Sequence, residues 1–181
     1  NVYDNQNWNF SLSLKPKKYP FSSGVPGASA SNSTYELQLY GTNYDTGVRK
    51  NSFTISTDLT NQAGMNILKS TKRIYAGAHR TNFTGSVVNS SDVRASSIRY
   101  WTDYIPPFVV DLQARDVDSY GLYHPTRNAY LFQTGSLSVA IPSAQTLALN
   151  WDFETVTGSN TSGRFIVADA SSGSSDADSF Y

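Results

Sequence analysis

Asp152 and Glu154 stand two residues apart at the end of Thr146-Leu147-Ala148-Leu149-Asn150-Trp151-Asp152-Phe153, a run that alternates apolar and polar. In an extended chain, positions i and i+2 share a face at a spacing of roughly 6 to 7 Å, which suits acid and base partners at a glycosidic bond. This strand supplies at most these two carboxylates. Both groups also fall opposite the face of Trp151 and Phe153, so they are expected in solvent. Asp116 with Asp118, and Asp176 with Asp178, read as turn and tail residues. His79 and His124 are the only histidines; they are too few for a histidine metal site and lack the i, i+4 pairing of a helical zinc motif. No Gly-x-Ser-x-Gly elbow accompanies them, so acyl transfer is not expected. Aromatic residues in polar surroundings are the stronger lead, because sugar rings stack on tyrosine and tryptophan. Tyr120, Tyr123 and His124 in one loop, Tyr44 in another and Trp101 on a strand are the candidate carbohydrate-binding residues. The competing reading makes Trp101 a core or interface residue and lets Tyr120, Tyr123 and Pro125 pin their loop.

The elements that must position these groups are strands. Trp8-Asn9-Phe10-Ser11-Leu12-Ser13-Leu14 alternates strictly and predicts a half-buried strand, which Lys15-Pro16-Lys17-Lys18-Tyr19-Pro20 is expected to stop. A Ser/Gly/Ala/Pro-rich loop occupies 22–34. A second strand is predicted over 35–40, closed by Gly41, with turn chemistry at 43–47 and a further strand at 53–56. Residues 59–71 carry a weak helix or loop signal. Strands are then expected at 73–76 and 95–104, and a two-turn helix over 108–114 behind Pro106-Pro107. Short strands at 129–132, 136–140, 146–153 and 165–167 complete the pattern, with a polar tail at 169–179.

Composition narrows the function classes. The chain has 181 residues, 39% hydrophobic and 13% aromatic, enough to bury a core. Fourteen basic residues balance fourteen acidic ones, so no net field favours nucleic acid or an anionic surface. Phosphate-cradling glycine motifs are lacking, and Lys15, Lys17 and Lys18 are expected to solubilise an edge strand. There is no cysteine, hence neither a disulfide framework nor a thiolate site. No apolar run reaches the roughly 18 residues of a membrane-spanning helix. Asn-x-Ser/Thr occurs at Asn9, Asn32, Asn82, Asn89 and Asn160, a number that abundant Asn, Ser and Thr explain without glycosylation. The first and last residues read as cuts from a longer chain.

The segments 4–10, 37–41, 74–78 with Phe83-Thr84-Gly85, and 98–101 occur in the order in which laminin G-like domains place their tryptophan and aromatic-glycine strands. On these residues the chain resembles a laminin G-like, concanavalin A-like jelly roll. The resemblance implies an all-β antiparallel sandwich, with 1–114 as the C-terminal half of one domain. It makes 115–145 a connection with short strands, and 146–181, from the runs 147–154 and 158–163, the opening strands of a following similar domain. AHRTNFTG, RYWTDY, LALNWDFETVTGSN and ADASSGSSD also resemble segments of the large structural proteins of marine tailed phages.

That resemblance implies a non-enzymatic virion component at the surface, tail or fibre. Its partners would be other copies or repeats of the structural protein, with host glycans as a second class, and it implies neither a nucleic-acid partner nor membrane insertion. No cofactor is expected. Calcium stays open, because laminin G-like rims sometimes hold it through hard oxygen ligands, here Asp45, Asp92 and Asp103. Two other readings stand beside this one: a carbohydrate-binding module of a secreted adhesin, and a degenerate glycoside hydrolase.

Overall fold

The computed structural model of the chain describes residues 2, 4–18, 33–82, 85–90, 93–117, 146–153, 161, 166, 167, 169, 171, 179 and 180. The chain forms two compact units, one of Asn1–Ser70 with Asp103–Ser143 and one of Thr71–Thr102 with Ala144–Tyr181. Regular structure is mostly β, and every strand pairing among the described residues is antiparallel.

In the first unit, β1 (Trp8–Pro16), β2 (Tyr35–Asp45) and β3 (Val48–Leu59) form a sheet of order β1-β2-β3. Trp8 lies opposite Asn43 and Pro16 opposite Tyr35, while Tyr35 lies opposite Leu59 on the other side. β1 ends at Pro16, within the stop expected from Lys15 onward; among the described residues it is an edge strand, where a terminal proline is tolerated. β2 runs through Gly41, where the missing Cβ leaves room for the Phe53 ring. The turn therefore shrinks to Thr46-Gly47, with φ of 50° and 78°. Two positive φ values match the right-handed twist of the flanking strands, as in the favoured two-residue hairpins.

Helix α1 (Asn61–Lys69) forms where only a weak signal stood. Thr60 caps it, its hydroxyl accepting from the Ala63 N–H at 3.3 Å. Gly64 lets the helix lie directly against the Tyr35 ring. Helix α2 (Pro107–Arg115) forms where expected, with proline in its first turn and Val109, Val110 and Gln113 buried.

In the second unit, β4 (Ala78–Arg80) pairs with β5 (Val87–Ser90), β6 (Ser97–Trp101) with β7 (Leu147–Asp152), and β8 (Ile166–Val167) with β9 (Ser179–Phe180). The strand expected at 73–76 is irregular chain; pairing begins only at Ala78, after Gly77 turns the backbone at φ 73°. The strand expected over 95–104 contracts to Ser97–Trp101. A register shift follows Tyr100, and the Asp103 carboxylate accepts the Tyr104 N–H at 2.7 Å, drawing it away from a ladder. β7, read above as opening a following domain, pairs with β6, bringing Trp151 opposite Ile98 and Leu149 opposite Tyr100. Trp151, Leu147 and Val167 form the buried centre of this unit. The strands expected at 129–132 and 136–140 lie outside the described residues.

Candidate functional site

The register of the three-stranded sheet sorts its residues onto two faces. Trp8, Phe10, Leu12 and Leu14 of β1 share one with Leu37, Leu39 and Gly41 of β2 and Phe53 and Ile55 of β3. Ser11, Ser13, Gln38, Tyr40, Thr42, Thr54 and Ser56 share the other. A half-buried sheet ordinarily turns its apolar side inward. Here the polar side is the better covered: Tyr40 is 7% and Thr42 0% exposed, with α2 lying against β1 and β2. On the apolar side Phe10 is 51%, Leu12 70% and Ile55 62% exposed. The alternation of β1 was expected to bury its apolar positions; Trp8 and Leu14 are half-buried, and the openness of Phe10 and Leu12 corrects that expectation there. The Tyr35 end of this face is closed by α1 through Gly64 and by the Tyr35 hydroxyl against Met65 Sδ at 3.1 Å, and toward the other end Gly41 and Asn43 are buried.

An aromatic group organises the open face. Trp8 and Phe10 stack with centroids 6.0 Å apart, and Phe53 tilts against both, at 5.9 Å from Trp8 and 6.3 Å from Phe10. The Trp8 indole N–H donates to Asp4 Oδ1 at 3.1 Å, which anchors the ring at the sheet's end.

Behind the sheet, polar groups tie α2 in place. The Tyr40 hydroxyl donates to Asp111 Oδ1 at 2.7 Å, and Arg49 reaches Asp111 Oδ2 at 3.4 Å. Burial, and then the bond to Asp111, holds the Tyr40 phenol above its ordinary pKa, against the opposing pull of Thr42 and Arg49. Lys15 bridges Glu36 and the Tyr104 hydroxyl, each at 3.2 Å. The Tyr104 bond is the main reason its pKa rises, against the lowering effect of burial, with Glu36 adding to the rise.

The aromatic candidates for sugar stacking do not converge. Tyr44 lies in the first unit under the Arg115 guanidinium, 5.1 Å from its ring centroid, with its hydroxyl accepting from Arg115 at 3.4 Å. Trp101 ends β6 in the second unit, opposite Leu147 and half-buried. Tyr120, Tyr123 and His124 lie outside the described residues. His79 packs edge-on against Tyr75 at 5.1 Å beside a shallow hollow of about 230 Å³. Of the calcium candidates, Asp45 faces Lys50 at 3.8 Å, Asp103 takes its neighbour's N–H, and Asp92 lies outside the described residues. Among the described residues no three His, Cys, Asp or Glu side chains converge. Asp152 is placed by its backbone opposite Ser97, and Glu154 lies outside the described residues.

Sequence reasoning named neither the Tyr40-Asp111-Arg49 group nor the open face. The face was nonetheless visible in the alternation of β1 and in Phe53-Thr54-Ile55, since a period of two marks a face without saying whether anything covers it. Comparison with family models, curated proteins and solved structures finds no match.

Proposed function

We propose that this chain is a non-enzymatic packing module of a laminin G-like, jelly-roll kind, built into a larger assembly, with a tailed-phage virion as the setting its sequence resembles. One observation carries the reading: the apolar face of the β1-β2-β3 sheet is open at Phe10, Leu12 and Ile55 while Tyr40 and Thr42 on its polar face are buried. A sheet is stable when its apolar face is packed, and a contiguous exposed patch of this kind marks an interaction surface. The clustering of Trp8, Phe10 and Phe53 fits it further, since aromatic residues concentrate at the buried centres of protein interfaces.

The reading is tested on the full chain with Leu12→Asp and Ile55→Asp combined. The wild-type chain is expected to bind a hydrophobic dye and to self-associate as concentration rises. The variant, with an unchanged circular dichroism spectrum, is expected to lose both. A wild-type chain that stays monomeric and binds no dye overturns the packing reading. Contact with host glycans is the subsidiary part of the proposal. Binding on a glycan array that Trp101→Ala or Tyr44→Ala abolishes would support it, and no binding to any sugar removes it.

A further inference from the structure

In the second unit, Gly77 turns the chain into β4 at a φ of 73°, and Tyr75 comes back against His79, the two ring planes meeting at 78°. His79 stands opposite Asn89 and Ala78 opposite Ser90, so His79 and Asn89 leave the β4–β5 ribbon side by side on one face. Tyr75, Gly77, Ala78, His79, Asn89 and Ser90 line the hollow of about 230 Å³, and all six belong to the same unit. Tyr75 is half-buried and gives the hollow an aromatic wall, while His79, Asn89 and Ser90 reach solvent. None of the six is Asp, Glu, Lys or Arg, so neither a cation nor a phosphate meets a fixed opposite charge. A wholly apolar ligand would strip water from the imidazole, amide and hydroxyl without replacing their hydrogen bonds. A pyranose ring satisfies both conditions: its C–H face packs on an aromatic ring, and the hydroxyls around its edge exchange hydrogen bonds with polar groups. The hollow is smaller than the roughly 300 Å³ at which pockets for drug-sized ligands begin, so it has room for one such ring.

We propose that this hollow is a monosaccharide subsite that takes one uncharged pyranose at the end of a glycan chain. Tyr75 supplies the stacking wall. The Asn89 amide both donates and accepts, which lets it hold a sugar hydroxyl in either sense, and the Ser90 hydroxyl and the His79 imidazole do the same from beside it. This inference rests on the glycan-contact part of the proposed function and moves that contact to the β4–β5 ribbon. Trp101 and Tyr44 fall in different units, and neither lines the hollow.

The test titrates a panel of methyl pyranosides, of neutral hexoses and N-acetylhexosamines, into the isotopically labelled full-length chain, with p-cresol as a flat aromatic comparison. At least one pyranoside is expected to shift the backbone amide signals of Ala78–Arg80 and Val87–Ser90 at about millimolar concentration, with those of β1–β3 in place. Asn89→Ala, at an exposed position, should weaken that binding about tenfold with the rest of the spectrum unchanged, and Tyr75→Ala should abolish it. Binding that is lost in Trp101→Ala or Tyr44→Ala but kept in Asn89→Ala overturns the hollow and leaves glycan contact standing. Equal shifts with p-cresol overturn the saccharide class. No shift with any pyranoside of the panel overturns both the hollow and the glycan contact, while the packing reading still stands or falls on dye binding and self-association.

Discussion

Tyr40 shows how one residue can hold two elements together and respond to pH. Its hydroxyl donates to Asp111 across the gap between β2 and α2, and its burial disfavours the phenolate. The folded chain therefore keeps this proton to a higher pH than the unfolded chain does. Its stabilising contribution is complete below the ordinary tyrosine range near pH 10 and is lost as pH climbs through the raised value. Lys15 acts with the same sign, because its folded pKa is also raised. Denaturant melts at pH 8 and above pH 10 should thus show stability falling with alkalinity. Tyr40→Phe is expected to cost about 1 kcal/mol at pH 8 and to make the alkaline fall shallower without abolishing it. An unchanged fall would mean that Tyr40 does not carry it. Neither the bond nor the shift was legible in the sequence, since Tyr40 and Asp111 stand 71 positions apart with no local sign of their meeting.

At the scale of the element, the β2–β3 hairpin is the part that local chemistry determines most fully. Residues 43–47 announced a turn, and the structure places it at Thr46-Gly47 with both residues at positive φ. Gly47 adopts that conformation freely, but the β-branched Thr46 meets a steric penalty there. Thr46→Asn should therefore raise stability by about 1 kcal/mol, read as a higher denaturation midpoint with an unchanged slope. No gain would show that the threonine is compensated, for instance by its hydroxyl donating to the Asp45 carbonyl at 2.8 Å. The strands misjudged in extent share a cause. Pro16 does end β1, but Gly41 also looked like a stop and instead serves the Phe53 ring within β2. Ile74-Tyr75 had strand composition but lies in irregular chain, because pairing is decided by distant segments.

For the whole molecule, each unit has its own buried residues: Tyr40, Val109 and Val110 where α2 meets the sheet, and Tyr35 beneath α1, in the first, and Leu147, Trp151 and Val167 in the second. Trp151→Ala, at a residue only 5% exposed, should cost about 3 to 5 kcal/mol. Hydrogen exchange is expected to show lost protection in β6 and β7 with β1–β3 retained; equal loss in both would mean that the units unfold as one. The pairing of Ser97–Trp101 with Leu147–Asp152 could not be read from the chain, because strands that alternate in hydrophobicity specify a face but not a neighbour. By itself the sequence determined the β class, the faces of β1 and β7, the position of α2 and the lack of any thiolate chemistry, all of which follow from residue type and short-range spacing. Only the tertiary structure decided which face is covered. Helix α2 lies on the polar side of the first sheet, held by Tyr40 and Asp111, while Phe10, Leu12 and Ile55 stay open, because burial depends on what packs against a face and period-two alternation is silent about that.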